Sequence, residues 1–275
     1  MTMTPTLHTF IQALQTPDIS FTTLADARPA TEAGGIPQLM RTTRFAEAEI
    51  VWRGRQWLLS LPLSPAALAA VERTASQAGR LNTEWLAEYR ILRGELLWVD
   101  AEEHPQTCDL VLQHLPAGRS FAEALLTEPA ERLLAGLDAL QSALRELGFS
   151  HNNLRPDNLR WSGGRFIPLR YHDARFGTSD GDAEAFEALR RRVREAGGPM
   201  QVSDIEADYA PLRRLTGHRW TSHVFEGLVC VEDDEGFGFV DTDNNPVIAS
   251  HFVWAGDFRE GRAEVETSGG MGLID

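Results

Sequence analysis

The sequence predicts an α+β protein that ends in a C-terminal β-meander of two repeats. Three observations carry this. Leu133, Leu137, Leu140, Leu144 and Leu147 recur at 4-3-4-3 spacing, the apolar stripe of a buried amphipathic helix over residues 129–147. Two runs rich in aromatic and branched residues flank Arg53-Gly54, the pattern of a β-hairpin. From Thr221 onward the pattern changes to short strands punctuated by glycine, and pairs of residues return 34 positions later.

Taken in order, residues 5–15 read as a short helix and 26–43, rich in Ala, Pro, Thr and Gly, as a loop. The hairpin runs from Ala46 to Trp52 and from Gln56 to Leu63. Ser64-Pro65 opens a helix, with Ser64 as N-cap and Pro65 at the first helical position; it runs to about Leu81 and restarts near Thr83. Arg93–Val99 and Cys108–Leu115 read as strands, the second broken by Pro116-Ala117-Gly118 before a helix at Ser120. Gly148 ends the leucine-striped helix. A polar loop from Ser150 to Asn158 follows, then a hairpin around Ser162-Gly163-Gly164, a strongly charged helix over 183–196 and a further helix over 204–216.

The formal charge of −14 would repel phosphate backbones, which argues against nucleic acid as a partner. Cys108 and Cys230 lie in separate apolar runs with no CxxC spacing, so neither a zinc site nor a disulfide framework is expected, and a reducing compartment suits them. Met1 to Thr16 has neither a basic start nor a long apolar run, and no window approaches the roughly 20 apolar residues of a membrane span. The expectation is a cytoplasmic protein with no membrane partner.

Residues 131–159, ERLLAGLDALQSALRELGFSHNNLRPDNL, resemble the long helix and catalytic loop of protein kinases, whose loop reads His-Arg-Asp-Leu-Lys-Pro-x-Asn. Here it stands as His151-Asn152-Asn153-Leu154-Arg155-Pro156-Asp157-Asn158. The upstream order of strands, helix, strands and linker is similar to a small kinase N-lobe. The resemblance implies a small two-lobed kinase-like core with a shortened C-lobe, because only two helices fit between Gly181 and Gly217.

It also implies that phosphotransfer is lost. Kinases use the loop Asp to take the proton of the substrate hydroxyl. Asn153 stands there, and an amide has no basic oxygen at neutral pH. Arg41 to Trp52, the place of the glycine-rich loop, contains no glycine, and the strand Gln56 to Leu63 has no lysine, Ser60 being its nearest polar candidate. A hydroxyl cannot replace a cation that neutralises phosphate. For the metal-binding Asp two registers are open: one places Asp173 there, the tighter one Arg170 or Tyr171. Asn158 matches the kinase Asn that holds the second magnesium; an Asn in a loop commonly bonds the backbone instead. His151 is expected to support the loop core, Arg155 and Asp157 to be solvated or paired with each other, and Asp180-Gly181-Asp182 to form a loop and not a calcium site.

In the repeat, Glu226-Gly227 returns as Glu260-Gly261, Val231-Glu232 as Val265-Glu266, Gly236 as Gly270, Gly238 as Gly272 and Asp241 as Asp275. The segment 222–275 resembles the WG-repeat family, which is associated with protein interaction, although Val224 stands where the second copy has Phe258. The expected division is an N-terminal helix and loop (1–40), an N-lobe-like part (41–117), a shortened C-lobe-like part (118–218) and the WG-repeat-like region (219–275). The function these resemblances imply is a non-catalytic kinase-like protein that binds another protein or acts as a scaffold, with no cofactor. The alternative is an atypical ATP-dependent kinase or nucleotide-binding regulator using ATP and Mg through Asn158 and Asp173.

Overall fold

A computed structural model of the chain describes residues 5–31, 37–79, 81, 83–100, 102–177, 181–196, 215, 217–258 and 261–275. The chain divides into two compact units, Met1–Arg41 with Phe45–Pro199, and Thr42–Arg44 with Met200–Asp275. The architecture is α+β, with six α-helices among the described residues and antiparallel sheets throughout.

The first unit begins with helices α1 (Leu7–Gln15) and α2 (Pro17–Ser20) and strands β1 (Arg28–Pro29), β2 (Leu39–Arg41), β3 (Phe45–Trp52) and β4 (Arg55–Pro62). Helix α3 (Pro65–Ala78) and strands β5 (Tyr89–Val99), β6 (Pro105–His114) and β7 (Arg119–Ser120) follow. Then come α4 (Phe121–Thr127), α5 (Ala130–Glu146), β8 (Phe149–Ser150), β9 (Leu159–Ser162), β10 (Arg165–Pro168), β11 (Arg175–Phe176) and α6 (Ala183–Glu195). The main sheet has the order β1-β3-β4-β6-β5, with β2 also on β3. Arg53 and Gly54 both take positive φ (50° and 72°), the two-residue turn whose twist matches its strands. Ser64 accepts from the Ala67 N–H and caps α3.

Two readings change. The segment 26–43 is not all loop, since β1 and β2 lie in it; their pairing is with β3, which local composition does not reveal. Residues 83–88 form turns and extended chain, so α3 does not restart at Thr83. The helix expected over 204–216 lies outside the described residues.

The sheet has apolar cover on both faces. Phe10 and Leu14 of α1 pack with Ile50, Leu59, Leu61 and Leu112 on one side. On the other, Phe45, Tyr89 and Val111 join the core of α5, where Leu133, Leu137, Leu140 and Leu144 are buried against Phe149, Phe166, Tyr171 and Phe186. The leucine stripe therefore lies at the centre of this unit; Leu147 is only partly buried.

The second unit holds β12 (Trp220–Phe225), β13 (Leu228–Asp233), β14 (Gly236–Asp241), β15 (Pro246–Phe252), β16 (Trp254–Ala255), β17 (Ala263–Thr267) and β18 (Gly270–Ile274). They form a four-stranded sheet, β12-β13-β14-β15, and a three-stranded one, β16-β17-β18. The 34-residue period is visible in the register. Val229 pairs with Val240 and Asp233 with Gly236; 34 residues on, Ala263 pairs with Ile274 and Thr267 with Gly270. Trp220 pairs with Glu232 as Trp254 does with Glu266.

Candidate functional site

The loop His151–Asn158 is held from three directions. Asn152 takes positive φ (58°), a conformation Asn tolerates better than most residues. Its neighbour Asp182, just before α6, is buried and accepts from the His151 N–H (2.5 Å) and the Asn152 N–H (2.8 Å). This carboxylate therefore fastens the loop across 31 positions of sequence instead of capping its own helix. His151, fully buried, donates from Nε2 to the Leu169 carbonyl (2.7 Å) and accepts the Asn153 N–H at Nδ1 (3.3 Å). Those partners need one protonated and one bare ring nitrogen, which is the neutral ring. Burial pulls its pKa below the usual value, against the opposing charges of Asp182 and Asp173.

Asn153 points its amide oxygen at Arg155, accepting from Nε (2.8 Å) and Nη2 (2.5 Å). Arg155 thus pairs with Asn153, a partner the sequence reading did not name. Asn158 is buried and donates from Nδ2 to the Asn153 carbonyl (2.7 Å), the backbone-bonding role open to an Asn in a loop.

Above this loop lies a charged cluster. Glu47 on β3 is 1% exposed. Arg170 Nε donates to its Oε2 (2.6 Å), and His172 Nε2 lies 3.1 Å from its Oε1. Ser60, its cross-strand neighbour on β4, donates to Oε1 (3.3 Å). Burial would raise the Glu47 pKa, but the Arg170 guanidinium and the His172 ring outweigh it and hold the carboxyl at about 2. His172 is stacked on Phe45 with centroids 3.8 Å apart, and its Nδ1 meets Tyr89 Oη at 3.1 Å. Arg170 adopts positive φ (59°), where its N–H donates to Gln113 Oε1 (2.7 Å). Its Nη1 donates to the Asp157 carbonyl (2.8 Å) and faces Asn158 Oδ1 at 3.4 Å. One guanidinium therefore ties the sheet to the loop.

The chemistry follows from these groups. Asn153 has no basic oxygen and its amide is engaged by a cation. The side chain set against the Asn158 amide oxygen is a guanidinium, which repels a divalent cation; this donor set does not fit magnesium. Asp173 contributes its carbonyl, which accepts from Asn152 Nδ2 (3.0 Å), and its charge acts on His151. Among the described residues no group of three or more His, Cys, Asp or Glu is arranged to hold a metal. Glu47, Arg170, His172 and Asp182 form the centre of the site; sequence reading named Arg170 only as one register of the metal-binding position and Asp182 only as part of a loop, and it did not single out Glu47 or His172. The one local signal was an acid between two alanines on β3.

The second unit carries its own polar cluster. His218 Nδ1 lies 2.6 Å from Asp233 Oδ1, Ser250 Oγ donates to Asp233 Oδ2 (2.7 Å), and His218 Nε2 meets Asn244 Oδ1 at 2.8 Å. The residue types are those of a hydrolase triad, but the connectivity is not, because the hydroxyl bonds the carboxylate and the imidazole faces an amide. The cluster fixes turns.

The family model for the WG containing repeat matches residues 237–270, one full period beginning in β14 and ending at the start of β18. No curated protein is a significant match to the chain. No helix of the described residues is long and apolar enough to cross a membrane.

Proposed function

We propose that this chain is a pseudokinase-like scaffold: a kinase-like core without phosphotransfer, joined to WG repeats that bind another protein. The order of elements in the first unit supports the first half, with strands, a helix, strands, a linker, a long helix, a polar loop and a hairpin in the kinase order. The Glu47–Arg170 ion pair carries the reading. It supports the tighter register, in which Arg170 stands where a kinase holds its metal-binding carboxylate, and that guanidinium is engaged by an internal acid. The match to the WG repeat supports the second half. Cys108 and Cys230 form no disulfide, and burial with the nearby Asp109 pushes the Cys108 thiol up to about 12, which suits a cytoplasmic setting.

Thermal denaturation with ATP and Mg²⁺ tests this. A ligand at 100 times its dissociation constant stabilises by about 2.7 kcal/mol, which raises the Tm of a chain this size by several degrees. The expected result is no shift and no transfer of labelled phosphate above a heat-killed control. A Tm rise, or transfer reduced by Asn158→Ala or Asp173→Ala, would establish the nucleotide-dependent alternative.

A further inference from the structure

One end of the main sheet carries three arginines on a floor of two tryptophans. Trp52 on β3 stands opposite Arg55 on β4, and Trp57 on β4 stands opposite Ile50 on β3 and His114 on β6. Arg90 on β5 joins the same face through Leu112 and Leu59. The two indoles meet edge to face with centroids 6.0 Å apart, and each tryptophan is only 3% exposed. Arg53, in the hairpin turn, lies over Trp52 at 4.3 Å from the centroid, and Arg55 lies over Trp57 at 4.9 Å. Arg90 lies over both rings, at 5.7 and 5.5 Å.

A guanidinium laid on a ring uses its flat face and keeps its in-plane N–H groups for an anion. Few of these are spent here. Among the described residues Arg53 has no ion-pair partner, and Arg90 Nε is buried with no acceptor. Glu88 lies between Arg55 and Arg90 at 3.6 and 3.5 Å, longer than a good hydrogen bond. Asp26 is engaged by the Trp52 indole N–H (2.9 Å). His114, whose ring centroid lies 5.5 Å from that of Trp57, is held below its usual pKa by burial and by the charge of Arg55, which outweighs that of Glu88. Arg53 is exposed, and the Arg55 and Arg90 side chains are 51% and 42% exposed, so the excess positive charge faces water.

We infer that this face binds an acidic segment of a partner protein, whose carboxylates are taken by Arg53, Arg55 and Arg90. Guanidinium and carboxylate match in plane and charge, and rings that hold the guanidiniums in place lower the cost of ordering them. The formal charge of −14 limits the class of partner. At physiological salt, charges are screened over about 8 Å, so a short acidic segment meets the local positive charge. A nucleic acid running past the patch would meet the acidic remainder of the chain. The inference goes beyond the proposed function: it adds a binding surface on the first unit that does not depend on the repeats.

The test titrates the full chain, without nucleotide, into labelled hexaglutamate and follows fluorescence anisotropy. Saturable binding that weakens with added salt is expected. Two variants move it in opposite directions. Arg53→Asn leaves the preferred Asn-Gly dipeptide in the turn, so the Tm holds, while the lost charge weakens binding roughly threefold. Glu88→Gln removes the competing carboxylate and tightens binding by a similar factor. No binding by the unaltered chain, or failure of either variant to move the affinity in its stated direction, overturns the proposal and leaves the arginines as cover for the rings. Equal binding of a peptide with glutamine in place of glutamate overturns it too. Tighter binding of oligothymidylate would assign the face to nucleic acid instead. Thermal denaturation with ATP and Mg²⁺ is a separate readout, so failure of the kinase-like reading and failure of this face remain distinguishable.

Discussion

His151 in the first unit and His218 in the second both use both ring nitrogens, with opposite results. His151 meets a carbonyl at one nitrogen and an N–H at the other, so its partners accept only a neutral ring. His218 meets oxygens on both sides, Asp233 and Asn244, so its partners ask for two N–H donors and favour the cation. Burial pushes both rings toward neutrality; it prevails at His151, while at His218 the bonds to Asp233 and Asn244 outweigh it and raise the pKa. The wider surroundings differ in the same way. The first cluster is buried around Glu47 and couples sheet to loop, whereas the second joins turns at a half-open surface. Burial sets the sign of the shift at His151, and the hydrogen-bond partners set it at His218.

The largest effect is expected at Arg170. Arg170→Met removes the guanidinium from a buried carboxylate, and breaking such a pair costs about 3–5 kcal/mol. Urea denaturation should show that loss, and adding Glu47→Gln should recover part of it. A loss below about 1 kcal/mol for Arg170→Met would show that the pair does not hold sheet to loop. The acid limb gives an independent check. Glu47 is held at about 2 against an ordinary 4.5, so its contribution is complete above pH 4.5 and disappears as pH falls toward 2. Glu47→Gln should flatten that limb.

That cluster was the least legible part of the sequence. Glu47 and Arg170 lie 123 positions apart, and neither residue carries a local signal of the other. Asp182 reads as an ordinary acid before a charged helix, because its bonds to His151 and Asn152 span a turn of chain that spacing does not reveal. By contrast α5, the Arg53-Gly54 turn and the Ser64 cap were legible, since each is written in consecutive residues: a period, a dipeptide, a cap. The loop residues His151, Asn153 and Asn158 were legible as a group for the same reason. The 34-residue repeat was legible too, as pairs of residues that return at a fixed spacing.

A smaller effect is expected from His151. Its pKa is lowered on folding, so the unfolded chain binds the proton more readily, and stability falls as pH drops below about 6.5. One proton sets the limiting slope at about 1.4 kcal/mol per pH unit. His151→Gln keeps an N–H for the Leu169 carbonyl and should remove this slope between pH 6.5 and 5.5. An unchanged slope would place the acid sensitivity elsewhere.

The smallest effect, and the one that decides the comparison, is at His218. Its pKa is raised, so its contribution is complete below the unfolded value of 6.5 and is lost as pH rises through the folded one. This is the reverse of His151, within the same chain and over neighbouring pH. The magnitude should stay below about 1 kcal/mol, because the pair is partly open to water and screened by salt. Ring titration by NMR reads it directly. His218 should titrate above 6.5 in the unaltered chain, and Asp233→Asn should bring it down by removing the opposite charge while keeping an oxygen for Nδ1–H. Asn244→Ala should lower it less, since only a neutral acceptor is lost. If Asp233→Asn leaves the His218 titration where it was, hydrogen bonding and not charge sets the difference between the two histidines, and the contrast drawn from Asp233 fails.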